Sequence, residues 1–133
     1  MTMAGVATDK PVVLVVEDDV ETQKFMSAAL RNAYTPLLAS TGEEARRRVA
    51  DHGSEIRLII MDLSLKGGED GLTLTQELRR QGFVQPIMAL TAHALPEDRT
   101  NALAAGCDLY VAKPIDHREL VSIISGLIAS RNG

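Results

Sequence analysis

The stretch Leu58-Ile59-Ile60-Met61-Asp62 constrains this chain more than any other. Four apolar residues in a row leave no polar face, so as a strand they need helices packed over both sides of their sheet. A carboxylate that closes such a strand escapes the cost of burial only at the strand's end. Asp62 therefore belongs at the carboxyl edge of a parallel sheet, where open α/β sheets bind ligands.

The remainder of the chain repeats this unit. Pro11 opens a β-branched strand, Val12–Val16, followed by Glu17-Asp18-Asp19 and a helical pattern from Val20 to about Asn32 with Phe25, Ala29 and Leu30 on one face. A weak strand, Thr35–Ala39, contains a proline and suits a sheet edge. Ser40-Thr41-Gly42-Glu43-Glu44 offers a hydroxyl cap and first-turn acids to a helix over Gly42–His52, which Gly53-Ser54 stops. After Asp62 come a loop from Ser64 to Glu69 and a helix from about Asp70 to Gln81, ended by Gly82. Pro86–Leu90 is a fourth strand leading to Thr91, and Pro96–Ala105 a helix stopped by Gly106. Asp108–Ala112 is a fifth strand leading to Lys113-Pro114, and Asp116–Ser130 the last helix. Five strands alternating with five helices predict an α/β fold, a doubly wound parallel sheet.

A length of 133 residues suits one core, and 45% hydrophobic with 24% charged residues is a globular balance. The expected organisation is a flexible lead over residues 1–10, one domain over 11–131 and no output domain. The lone Cys107 cannot form an internal disulfide, which suits a reducing compartment. Apolar runs fall far short of the ~20 residues that cross a bilayer, and Met1 to Lys10 lacks a signal-peptide core, so a cytoplasmic protein without membrane association is expected. With a net charge of −4 and no basic stripe interleaved with aromatics, direct nucleic-acid binding is not expected. Arg46-Arg47-Arg48 reads as the solvated face of a helix. His52, His93 and His117 share no metal-ligand spacing.

Parallel strands end on a common rim, which here collects Glu17, Asp18, Asp62, Thr91 and Lys113. Crowded acids raise one another's pKa, and a hard divalent cation relieves the conflict. Mg²⁺, or Mn²⁺ in its place, takes a few carboxylate oxygens while keeping waters and phosphate oxygens, which makes the rim a candidate phosphoryl-transfer site. Asp19, the third acid of its run, fits the first turn of the following helix.

The ordered set Val15-Val16-Glu17-Asp18-Asp19, Asp62 with Gly71 nine residues on, Ala89-Leu90-Thr91-Ala92 and Gly106-Cys107-Asp108-Leu109-Tyr110-Val111-Ala112-Lys113-Pro114 resembles the receiver domain of the two-component response regulator family. The resemblance runs from about Pro11 to Ser130. It is similar to single-domain, chemotaxis-type receivers and, around Thr91-Ala92-His93-Ala94, to receivers of hybrid histidine kinases. It implies a flavodoxin-like sheet in the order 2-1-3-4-5. Asp62 is then the phosphoacceptor for a histidine kinase or histidine phosphotransfer protein. Asp18, Glu17, Asp62 and the backbone carbonyl of Ser64 would hold Mg²⁺. Lys113 would counter the phosphoryl charge, Thr91 would hydrogen-bond a phosphoryl oxygen, and Tyr110 would change rotamer as Thr91 moves. Lys113-Pro114 is expected to be cis. Ser64 and His93 would flank the path of attacking water and tune the phosphoryl lifetime. One departure is the loop after Asp62, a residue longer than usual with Lys66 where many members carry proline.

Three other identities stand beside a free receiver: a receiver cut from a hybrid sensor kinase, a Mg²⁺-dependent aspartyl-phosphate phosphatase, and a scaffold that is never phosphorylated. The phosphatase would need a second acid and a substrate pocket. On the last helix, at ~100° per residue, Leu120, Ile124 and Leu127 lie together while Val121, Ile123 and Ile128 fall toward the edges of an apolar stripe about 160° wide. The face formed by the fourth helix, fifth strand and fifth helix is thus the expected docking surface. Its occupant would be a downstream protein target or a second copy in a phosphorylation-dependent homodimer.

Overall fold

The structure, a computed structural model, describes residues 10–63, 65, 70–92 and 95–132. Its elements are β1 (Val12–Val16), α1 (Val20–Leu30), β2 (Thr35–Ala39), α2 (Gly42–His52), β3 (Ile56–Asp62), α3 (Gly71–Arg80), β4 (Ile87–Thr91), α4 (Pro96–Ala105), β5 (Leu109–Ala112) and α5 (His117–Asn132). The strands pair in parallel in the order β2-β1-β3-β4-β5, so β3 is central and the proline-bearing β2 is an edge.

Strand side chains alternate between two apolar layers, because successive residues point to opposite faces. Leu14, Val16, Ile59, Met61, Ile87 and Ala89 pack with α2, α3 and α4, while Val13, Val15, Leu58, Ile60, Met88 and Leu90 pack with α1 and α5. The central strands are therefore apolar on both sides, as the run before Asp62 requires. β3 begins earlier than the apolar run suggests. Its register against β1 jumps from Val12↔Ile56 to Val13↔Leu58, leaving Arg57 as the extra residue of a bulge. The bulge puts Ile56 on the same face as Ile59 despite their odd spacing, which hides the strand's start from a period-two reading.

Helix boundaries follow their caps. Asp19 accepts from Thr22 N at 2.9 Å and Thr22 Oγ1 at 2.7 Å, Thr41 from Glu44 N at 3.1 Å, Asp70 from Leu72 N at 2.9 Å and Asp116 from Glu119 N at 3.1 Å. Gly106 ends α4 at φ +118, a backbone conformation that favours glycine. Lys113-Pro114 is cis.

Two readings of helix faces need correction. In α1 it is Met26, with Ala29 and Leu30, that is buried, whereas Phe25 is 40% exposed. The face is set by where α5 and the sheet lie, and Phe25 falls one residue outside it. On α2 only Arg47 is a plainly exposed member of the arginine run. Arg46 forms a two-pronged pair with Glu77 of α3 at 2.8 and 3.0 Å, and Arg48 donates to the Leu38 carbonyl at 3.0 Å. Among the described residues no helix is long and apolar enough to cross a membrane.

Candidate functional site

The strand ends deliver the rim. Glu17 follows β1, Asp62 closes β3, Thr91 closes β4 and Lys113 follows β5. Backbone bonds carry the ladder just beyond the strands: Glu17 N–H donates to Ala39 O at 2.9 Å, Leu63 N–H to Leu90 O at 3.3 Å, and Lys113 N–H to Thr91 O at 2.7 Å. These bonds fix the backbone that carries the rim side chains. Gly71 completes the frame, because a Cβ there would sit 2.6 Å from the Asp62 carbonyl oxygen and 2.9 Å from the Leu63 Cα. Only glycine lets the first turn of α3 approach the end of β3 so closely.

Glu17, Asp62 and Thr91 are buried at 3, 5 and 3% exposure, unusual for two carboxylic acids. Oxygens of Glu17, Asp18 and Asp62 lie within 4.8 Å of one another. Hard oxygen donors clustered so tightly fit a small divalent cation of the Mg²⁺ type, which needs few protein ligands. Asp19 is turned the other way, its carboxylate capping α1 while its N–H donates to Glu17 Oε2 at 3.1 Å. Lys113 Nζ lies 2.9 Å from Glu17 Oε1 and 3.8 Å from Asp62 Oδ2, so one ammonium serves both acids.

Burial pushes the Glu17 carboxyl above its ordinary value, more than its bonds from Lys113 and the Asp19 N–H pull it down, and the nearby Asp62 adds to the rise. For Lys113 burial works to lower the value, but the Glu17 hydrogen bond and the charges of Asp62, Glu17 and Asp19 together raise it. Tyr110 is half-buried on β5 against the layer of α2, α3 and α4. Burial raises its hydroxyl, and the charge of Asp98 on α4 raises it further.

Every expected rim residue within the described part of the chain is thus brought to one edge. Ser64 and His93 lie outside the described residues, as does most of the loop from Ser64 to Glu69. Sequence reasoning passed over Gln23, whose amide nitrogen donates to the Glu17 carbonyl at 2.5 Å and to Ser40 Oγ at 2.9 Å. Its only signal was a polar residue in α1 one turn beyond the acids. A cavity of 470 Å³ lined by Val49, Leu78, Phe83 and Val84 lies at the opposite edge of the sheet, away from these acids.

A doubly wound parallel sheet in this strand order, with buried acids and a lysine at the carboxyl ends of its strands, defines a protein of flavodoxin-like fold. More narrowly, the chain belongs to the response regulator receiver family: the model of the response regulator receiver domain matches residues 13–125. The chain is 40% identical over 122 residues to the transcriptional regulatory protein AruR of Pseudomonas aeruginosa, covering 89% of this chain and 49% of that protein. It is 30% identical over 126 residues to hybrid signal transduction histidine kinase M of Dictyostelium discoideum, covering 90% of this chain and 5% of that protein. The receiver domain of the Francisella response regulator 1452 superimposes with a TM-score of 0.84 at 27% identity, covering 92% of this chain and 99% of that one. The chain spans about half the length of the regulator it matches, and a far smaller share of the kinase. A receiver is a signalling domain of two-component systems, and its phosphorylation-based signalling fits this rim.

Proposed function

We propose that this chain accepts a phosphoryl group on Asp62 from a phosphohistidine of a histidine kinase or histidine phosphotransfer protein, in the cytoplasm, and signals through the surface change that follows. The supporting observation is the convergence of Glu17, Asp18 and Asp62 oxygens within 4.8 Å, beside the Lys113 ammonium. In the transfer an Asp62 carboxylate oxygen forms the new bond to phosphorus while the phosphorus–nitrogen bond breaks, its electron pair leaving with the imidazole. Glu17, Asp18 and Asp62, with the Ser64 carbonyl, would hold Mg²⁺ or Mn²⁺. The cation, when bound, neutralises charge on the phosphoryl oxygens. Lys113 meets a phosphoryl oxygen as a point charge, and the Thr91 hydroxyl binds another.

Thr91 moving inward would draw Tyr110 with it, altering the face of α4, β5 and α5, where Leu103 of α4 and Leu95 just before that helix are already 42 and 54% exposed. That face is the proposed dock for a downstream protein or a second copy. Ser64 and His93 would set the lifetime by ordering or blocking water, so the chain's own catalysis is limited to phosphotransfer and loss of phosphate. A receiver within a hybrid kinase would use the same chemistry, a second reading that the likeness to kinase M supports.

The test is labelling with radioactive acetyl phosphate and Mg²⁺. Wild type should take up one phosphoryl group, and Asp62→Asn or EDTA-treated protein none. Label on Asp62→Asn, or label indifferent to EDTA, would overturn the mechanism, and solution mass before and after labelling reads the docking face.

A further inference from the structure

Glu17 and Asp18 sit on a short segment between β1 and α1, and both main-chain polar groups of Glu17 are held, the N–H by β2 directly and the carbonyl by Gln23 of α1, which in turn reaches the residue after β2. Its N–H donates to Ala39 O at 2.9 Å. Its carbonyl accepts the Gln23 amide at 2.5 Å, and the same nitrogen donates to Ser40 Oγ at 2.9 Å. Both hydrogens of the Gln23 amide are therefore used. Ser40 is itself held, since its N–H donates to Glu44 Oε1 at 2.6 Å.

The Glu17 carbonyl belongs to the peptide plane that joins Glu17 to Asp18. Turning that carbonyl changes ψ of Glu17 and, wherever φ of Asp18 does not compensate, swings the Asp18 side chain relative to Glu17, so a pinned carbonyl narrows the range of angles between the two acids. We propose that Gln23 is a positioning residue for the cation site, locking the Glu17–Asp18 peptide against the loop between β2 and α2. The inference rests on the metal-binding reading of Glu17, Asp18 and Asp62. Groups that orient ligands in this way typically change metal affinity when removed although they never touch the ion.

Titration of the full chain with magnesium chloride, paired with urea unfolding without Mg²⁺, tests it. Gln23→Met keeps the length and loses both donors, and should weaken Mg²⁺ binding about tenfold. Ser40→Ala removes the second anchor and should weaken binding about threefold, whereas Ser40→Thr keeps the hydroxyl and should match wild type. Combining Gln23→Met with Ser40→Ala should bind no more weakly than Gln23→Met alone, because the two act through one linkage. A Gln23→Met protein that binds Mg²⁺ within about twofold of wild type, even with a lowered urea midpoint, overturns the inference and leaves Gln23 a purely structural residue. Should Gln23→Met not fold, the Ser40 pair decides, and equal affinities for Ser40→Ala and Ser40→Thr overturn it. Asp18→Ala in the same titration reads the site itself. Equal Mg²⁺ binding there and in wild type would bring down the metal reading and the inference with it, whereas a normal site with unchanged Gln23→Met removes the inference alone.

Discussion

Glu17 is a carboxylate placed where its charge is resisted. Burial, the leading cause, raises its pKa above the ordinary 4.5 despite the bond from Lys113. Lys113, raised above 10.5 by its acidic neighbours, holds its proton more firmly as well. Both groups bind protons more tightly folded than unfolded. Each therefore contributes stability that is fully present below its ordinary value and lost as the pH rises through its folded value. A cation reverses the preference at Glu17, because only the ionised carboxylate can ligate. Acidification should therefore weaken Mg²⁺ binding in wild type from a higher pH than an ordinary glutamate would allow. Glu17→Gln should bind more weakly at neutral pH and show a flatter profile. Magnesium titrations across pH check this, and parallel profiles for the two proteins would show that Glu17 is not the titrating ligand. Glu17, Asp62, Thr91 and Lys113 were legible because each ends or follows a short apolar run. Gln23 was not, since its partner Ser40 is brought to it by β2 lying beside β1, and no local pattern encodes that.

At the scale of elements, α5 shows what periodicity can and cannot give. Leu120 and Ile124 are fully buried, and Val121, Ile123 and Ile128 are half-buried at the margins, as the helical projection implies. Leu127, placed near the centre by the same projection, is only half-buried. By its last turns the helix packs less fully, and an angular projection does not register distance along the axis. Similar reasoning explains Phe25 and Met26 in α1, where an apolar pattern admits two neighbouring faces and tertiary packing selects one. Ile124→Ala should cost about 2–5 kcal/mol, the range for a truncated core side chain that leaves a cavity. Ile123→Ala, at the margin, should cost about 1 kcal/mol, because less apolar area is lost. Urea unfolding of the two variants checks the difference. Equal costs would mean that α5 is rotated so that Ile123 packs as deeply as Ile124.

Across the whole molecule the two edges of the sheet do opposite work. The carboxyl edge gathers like charges around Asp62, an arrangement that stability alone disfavours. At the amino edge one side chain, Arg79 of α3, ties together the entries to β4 and β5. Its guanidinium donates to Gly106 O at 3.0 Å, Phe83 O at 2.9 Å, Gln85 O at 2.8 Å and Asp108 Oδ2 at 2.8 Å. Asp108 passes the tie onward by accepting from Ile87 N at 2.9 Å. This network joins α3 to the segments leading into β4 and β5. It also gives Gly106 a second reason to be glycine, since a Cβ there would meet the Arg79 stem at 2.8 Å. Arg79→Met keeps most of the stem but removes all four bonds, leaving carbonyls whose partner has gone. With the arginine side chain 22% exposed, water can satisfy some of them, so the expected loss is about 2–4 kcal/mol rather than the full sum for charged hydrogen bonds. Because the sheet's length separates this edge from the acids, Mg²⁺ affinity and labelling of Asp62 should be unchanged in the folded variant. Urea unfolding and magnesium titration of the same sample read both quantities. A variant with its wild-type midpoint but weakened Mg²⁺ binding would reverse this division, making the amino edge part of the site rather than its support.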